Sequence, residues 1–153
     1  MQNPLPKELL SLAGEYAVAS ALCRRGVYAQ LTLGNRKRTD ILVDTDDNMM
    51  RIEVKAAQNN EWPAIRGLHR IKDALVLVDF TGKTLDDTPD FYILNLNDWK
   101  QLVAEEEERY PNITVDGENQ IKYPDGWKGL NLKPARVATF KDKWEKIVGL
   151  SNG

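Results

Sequence analysis

Thr39-Asp40-Ile41-Leu42-Val43, followed after a polar turn by Arg51-Ile52-Glu53-Val54-Lys55-Ala56, is the stretch that decides how this chain is read. Two short apolar-rich runs on either side of Asp46-Asp47-Asn48 predict an antiparallel pair of strands. Side chains alternate faces along a strand, so Ile52 and Val54 point one way and Glu53 and Lys55 the other. On the preceding strand Ile41 and Val43 share the face opposite to Asp40. A turn centred on Asp46-Asp47 sets Asp40 across from Glu53; one centred on Asp47-Asn48 sets it across from Lys55. Both registers put Asp40, Glu53 and Lys55 on one side of the sheet and group Ile41, Val43, Ile52 and Val54 as core on the other.

Two acids and a lysine converging on one point have a chemical use. Neighbouring carboxylates repel, and a divalent cation between them relieves the repulsion. A cation so held can bind a phosphate oxygen and lower the pKa of a water. A lysine beside it can orient or deprotonate that water, or offset charge building on the phosphate. One more acid stands out. Three, four and seven residues from Glu15 are Leu12, Val18, Ala19 and Leu22, so Glu15 interrupts a stripe expected to face inward. A carboxylate there is costly unless it is paired or coordinating.

Around this centre the chain reads as alternating helices and strands. Residues 7–25 predict a helix with Leu9, Leu12, Ala13, Tyr16, Ala17 and Ala19 at helical spacing, closed by Arg24-Arg25-Gly26. A strand is expected over residues 27–33, joined by Gly34-Asn35-Arg36-Lys37-Arg38 to a second over 39–44; the third spans 50–56. Residues 59–72, with Trp62-Pro63 and Gly67, predict an irregular or extended excursion. The apolar run 74–80 suits a strand buried on both faces, 81–90 a polar loop, and 91–94 another strand. Asn97 is expected to cap a helix through Arg109, with Glu105 to Glu108 solvated. A small hairpin region follows over 113–128, and a last helix opened by Thr139 carries Phe140, Trp144, Ile147 and Val148 to a stop at Gly149. One α/β domain over residues 1–153 is the expectation.

Composition removes alternatives. With His69 and Cys23 as the sole histidine and cysteine of 153 residues, no zinc ligand set and no internal disulfide can form within the chain. Hydrolytic chemistry would rest on carboxylates, lysines or hydroxyls and a hard oxygen-seeking cation. No stretch approaches the ~18 apolar residues of a membrane span, and one free cysteine fits a reducing cytoplasm. The net charge of −2 argues mildly against a dedicated nucleic-acid binder. The charge is uneven, however: residues 1–72 carry 11 Lys/Arg against 8 Asp/Glu, and residues 73–153 carry 10 against 15. Gly82-Lys83-Thr84 lacks the earlier glycine of a phosphate-binding loop, and Asp44-Asp46-Asn48 lacks the glycine and glutamate of a calcium loop.

A helix bearing an acid, a meander with Asp on its second strand and Glu-x-Lys on its third resembles the PD-(D/E)XK (restriction-endonuclease-like) nucleases, with Thr39 in the place of the motif's proline. The resemblance covers roughly residues 9–58. It implies a restriction-endonuclease-like core: a helix, then a three-strand antiparallel meander extended by further strands into a mixed sheet flanked by helices. It implies that Asp40, Glu53 and the Val54 carbonyl bind Mg²⁺ (or Mn²⁺), that Lys55 is the catalytic lysine, and that Glu15 is an auxiliary acid. It further implies a place for Gln58 near the scissile phosphate. Arg36, Lys37 and Arg38 are candidates to grip DNA phosphates, and Arg66, Arg70 and Lys72 could line a groove. Trp62 is the one tryptophan considered for base stacking. The expected activity is metal-dependent hydrolysis of DNA phosphodiester bonds, of a restriction, homing or junction-resolving type. The alternative is a catalytically silent DNA-binding module on the same scaffold, and a third possibility is an interaction protein working through its acidic C-terminal half. A chain this small, cutting two strands, is expected to be a homodimer or higher homo-oligomer without membrane attachment.

Overall fold

The computed structural model describes residues 3–32, 39–44 and 49–148. Its centre is a five-stranded sheet of β1 (Tyr28–Leu31), β2 (Ile41–Asp44), β3 (Met49–Ala57), β5 (Asp73–Asp79) and β6 (Asp90–Leu94), in that spatial order. Neighbours pair antiparallel except β3 and β5, which run parallel. That parallel pairing is why residues 73–79 read as continuous rather than alternating hydrophobicity. A strand hydrogen-bonded on both edges and packed on both faces has no solvent side, and all of β5 after Asp73 is buried.

Each face of the sheet carries its own apolar layer. On one face α1 (Lys7–Arg24) lays Val18, Ala19 and Leu22 on Ile41, Val43, Met50, Ile52 and Val54, and Trp144 and Ile147 extend the layer. On the other, Ala57, Leu75, Leu77, Tyr92 and Leu94 meet Trp99, Leu102 and Val103 of α2 (Leu96–Arg109), together with Trp62, Leu130 and Leu132. The last three belong to a small second sheet of β4 (Trp62–Ile65) and β9 (Leu130–Leu132). A two-stranded hairpin, β7 (Thr114–Val115) with β8 (Ile121–Lys122), sits where the turn signals around Asp116-Gly117 place it.

Gly67 and Gly14 allow two close approaches. Gly67 has a φ of 80°, and a Cβ there would overlap the Trp99 indole at 1.8 Å. Gly14 faces β3, where a Cβ would lie 2.8 Å from that of Ala56. The inner face of α1 is therefore the Gly14, Val18, Leu22 row. Leu9, Leu12 and Tyr16, expected on the inner stripe, are exposed. The periodic pattern assumed one apolar face, whereas α1 has apolar residues on two.

Other boundaries moved for local reasons. The cap of α2 is Asn95, not Asn97: its side chain accepts from the Asp98 amide while the Asp98 carboxylate accepts from the Asn95 amide. Glu106, expected to be solvated with its neighbours, is buried. The helix expected from Thr139 to Gly149 is broken. A 3-10 helix over Pro134–Phe140 is followed by an extended Lys141 and by Asp142 at a φ of 55°. The Asp142 amide donates to the Phe91 carbonyl at 2.9 Å, and helix resumes only as the short α3 (Glu145–Val148). Attachment to β6 outcompetes local helix propensity there. Gly149 lies outside the described residues.

Candidate active site

Where β2 and β3 part, the ladder itself sets the positions. The ladder begins at Ile41, paired with Ile52, and Asp40 lies one residue before it. The Asp40 amide donates to the Ile52 carbonyl at 3.0 Å, and its carbonyl accepts from the Thr32 amide at 2.9 Å. The Thr32 hydroxyl donates to the Thr39 carbonyl at 2.7 Å, and Thr39 is buried. Asp40 is thus held by backbone bonds to both neighbouring segments. Of the two strand registers the sequence left open, the one that pairs Ile41 with Ile52 is realised, and Asp40 stands at its end on the Ile52 carbonyl.

Beyond Ile52 the edge of β3 has no further β2 backbone to pair with. The Asp40 side chain takes that place, its Oδ2 accepting from the Val54 amide at 2.8 Å. Glu53 and Lys55 are adjacent on the same face, with Lys55 Nζ 3.5 Å from Glu53 Oε1. The glutamate is almost wholly enclosed, at 6% side-chain exposure, and the lysine is 48% exposed. Enclosing a carboxylate carries a desolvation cost, which pairing with a lysine offsets in part.

Glu15 reaches this group from α1. It sits one residue after the glycine that brings the helix onto β3, and it hydrogen-bonds to Asp40. Burial, then that hydrogen bond, then the Asp40 charge push the Glu15 carboxyl up from its ordinary 4.5 to about 7; the Lys55 charge pulls it down. The Glu15 carboxyl therefore takes up its proton near neutral pH rather than in the usual carboxylate range. The close approach at Gly14, which sets this contact, had no signal in the hydrophobic pattern, and neither did the Thr32 brace.

The remaining expected residues fall elsewhere. Gln58 has both amide atoms on the backbone of Leu5: Oε1 accepts from its N–H and Nε2 donates to its carbonyl, each at 2.9 Å. It ties the segment leading into α1 to the end of β3. Arg36, Lys37 and Arg38 lie outside the described residues. Arg66, Arg70 and Lys72 are exposed. Trp62 is buried with its indole N–H on the Val78 carbonyl, so it offers no face for stacking. Arg25 serves the end of α1, donating to the Ala21 carbonyl at 3.0 Å and lying over the Trp144 ring.

The oxygen donors available to a hard cation are Asp40, held on the Val54 amide, Glu53, and the Val54 carbonyl between Glu53 and Lys55 in sequence. Among the described residues, no three or more acidic, histidine or cysteine side chains are gathered as a preformed cage. Two carboxylates and a carbonyl need fewer. The donor chemistry fits such an ion, since carboxylate and carbonyl oxygens are the ligands a hard divalent cation takes. Among the described residues, no helix is long and apolar enough to cross a membrane.

No family model matches the chain, and no curated protein matches it in sequence. Solved structures do match. The bacterial homing endonuclease I-Ssp6803I aligns over 97% of this chain and 97% of its own, with a TM-score of 0.55 and 14% identity. Hjc, a Holliday junction resolvase from the archaeal hyperthermophile Archaeoglobus fulgidus, aligns over 91% of this chain and 95% of its own, with a TM-score of 0.48 and 8% identity. The strand order and the full-length match to the homing endonuclease give this chain the restriction-endonuclease-like, PD-(D/E)XK fold.

Proposed function

We propose that this chain is a divalent-metal-dependent DNA endonuclease whose centre is built by Asp40, Glu53, the Val54 carbonyl, Lys55 and Glu15. The observation that carries the reading is the linkage of these groups at the parting of β2 and β3. Glu15 hydrogen-bonds to Asp40, Asp40 accepts from the Val54 amide, one residue on from Glu53, and Glu53 pairs with Lys55. Such clustering of acids is costly in a fold that uses it for nothing.

Asp40, Glu53 and the Val54 carbonyl would hold Mg²⁺ or Mn²⁺, which when bound neutralises phosphate charge and acidifies a water. Lys55, half exposed beside Glu53, is placed to orient the attacking water or to offset charge on the phosphate oxygens. Glu15 positions Asp40 through the hydrogen bond between them. Arg36, Lys37 and Arg38, between β1 and β2 in sequence, would meet DNA phosphates. A homodimer or higher homo-oligomer would bring two centres to the two strands. Gln58 acts in this reading by anchoring the start of α1, since both its polar atoms are committed to Leu5.

The test is cleavage of supercoiled, linear, single-stranded and branched DNA by purified protein with Mg²⁺, Mn²⁺ or EDTA. Metal-dependent nicking lost in Asp40→Ala, Glu53→Ala and Lys55→Ala is expected. Salt-sensitive binding without any product under either metal would instead favour a silent DNA-binding module.

A further inference from the structure

On the side of the sheet that carries Glu53 and Lys55, but outside that centre, α2 and the segment after β8 enclose an open cavity of about 760 Å³. That is within the roughly 300–1,000 Å³ typical of small-molecule sites. Its walls are aromatic, with two arginines, Arg109 and Arg136, and two acids, Glu106 and Asp125. Trp127 is 48% exposed and Tyr110 50% exposed, and Tyr110 meets Tyr123 edge-on at 6.0 Å between ring centres.

The exposed indole is not a loose end. The loop that presents it is closed by hydrogen bonds: the Tyr123 amide donates to the Trp127 carbonyl, the Gly126 amide to the Tyr123 carbonyl, and the Trp127 amide to Asp125. A loop fixed this firmly holds the Trp127 ring at the cavity's rim without burying it.

The floor is equally fixed. Glu106, 3% exposed, accepts from the Tyr123 hydroxyl and pairs with Arg136 at 3.3 Å; Arg136 also donates to the Leu102 carbonyl. With the polar edges of the floor already committed, the cavity has flat faces and a cation to offer rather than a hydrogen-bonding code. Arg109, exposed in the last turn of α2, supplies that cation. Ring faces beside an arginine suit a planar base joined to a phosphate, and tolerate any base.

We propose that this cavity binds an unpaired nucleotide of DNA, stacked on Trp127 and Tyr110 with its phosphate towards Arg109. The inference rests on DNA being the substrate, yet it can be read without cleavage. The experiment is anisotropy of a labelled single-stranded (dT)12 and of a 12-base-pair duplex, with the full chain in EDTA. Stacking of one base predicts that Trp127→Ala and Arg109→Ala each weaken (dT)12 binding on the order of tenfold, that Trp127→Phe stays within about threefold, and that duplex binding changes little. Wild-type protein that does not bind (dT)12, a Trp127→Ala variant that binds it like wild type, or an equal loss on the duplex overturns the proposal. A protein that never cuts can still meet these expectations, and one that cuts can fail them, so the two readings fall separately.

Discussion

Replacing Glu15 by Gln should make the metal-free protein more stable above neutral pH while lowering its activity. In the folded chain the Glu15 carboxyl is raised from 4.5 to about 7 by burial and by Asp40. The folded state therefore holds this proton more tightly than the unfolded state does. Stability falls as pH rises from about 4.5 to about 7, and the whole penalty is present above that. At about 1.4 kcal/mol per pH unit the interval corresponds to roughly 3 kcal/mol. Glu15 is only partly buried, and solvent screening brings the figure to about 1–2 kcal/mol. Glutamine never ionises, and its amide N–H can donate to Asp40 as the protonated acid does. The Glu15→Gln chain should thus melt near the wild-type temperature at pH 4.5 and about 3–6 °C above it at pH 8 in EDTA. Calorimetry at both pH values checks this. A melting difference that stays flat from pH 4.5 to pH 8 would refute the raised Glu15 carboxyl.

Gly14→Ala gains ~1 kcal/mol of helix propensity, but its methyl would lie 2.8 Å from the Ala56 Cβ and 3.5 Å from Val54. Overpacking of about 1–3 kcal/mol should win, so urea melts should show net destabilisation and cleavage should fall as Glu15 is displaced. Gln58→Ala removes two hydrogen bonds to Leu5 and should cost about 1–2 kcal/mol with cleavage intact; lost cleavage at unchanged stability would return Gln58 to the phosphate. Glu106→Ala strands Arg136 and the Tyr123 hydroxyl and should cost about 3 kcal/mol in denaturant melts, leaving the metal dependence of cleavage as in wild type.

Much of the centre was legible because strand alternation is a strict rule. Once β2 and β3 were recognised, the pairing of Ile41 with Ile52 followed as one of two registers, and Ile41, Val43, Ile52 and Val54 had to form one core layer. The continuous run in β5 likewise betrayed a strand without a solvent face. Pattern reading failed where tertiary contact overrules periodicity. Leu9, Leu12 and Tyr16 match the helical spacing yet lie outside, because Gly14 lets the opposite face of α1 sit on β3. The break at Asp142 depends on a hydrogen bond to Phe91, 51 positions earlier, which no local window contains. Strand β9 is three residues long and exists through its pairing with β4. Glu106 shares a run with three solvated glutamates, and only the position of Tyr123 and Arg136 distinguishes it.

Binding of Mn²⁺, followed by electron paramagnetic resonance of the free ion at pH 7.5, tests the centre without waiting for a DNA substrate. The wild-type chain should take up a stoichiometric ion that Asp40→Asn and Glu53→Gln each release. Uptake that is absent in the wild type, or unaltered in both variants, would contradict the assignment of these two carboxylates as a metal site.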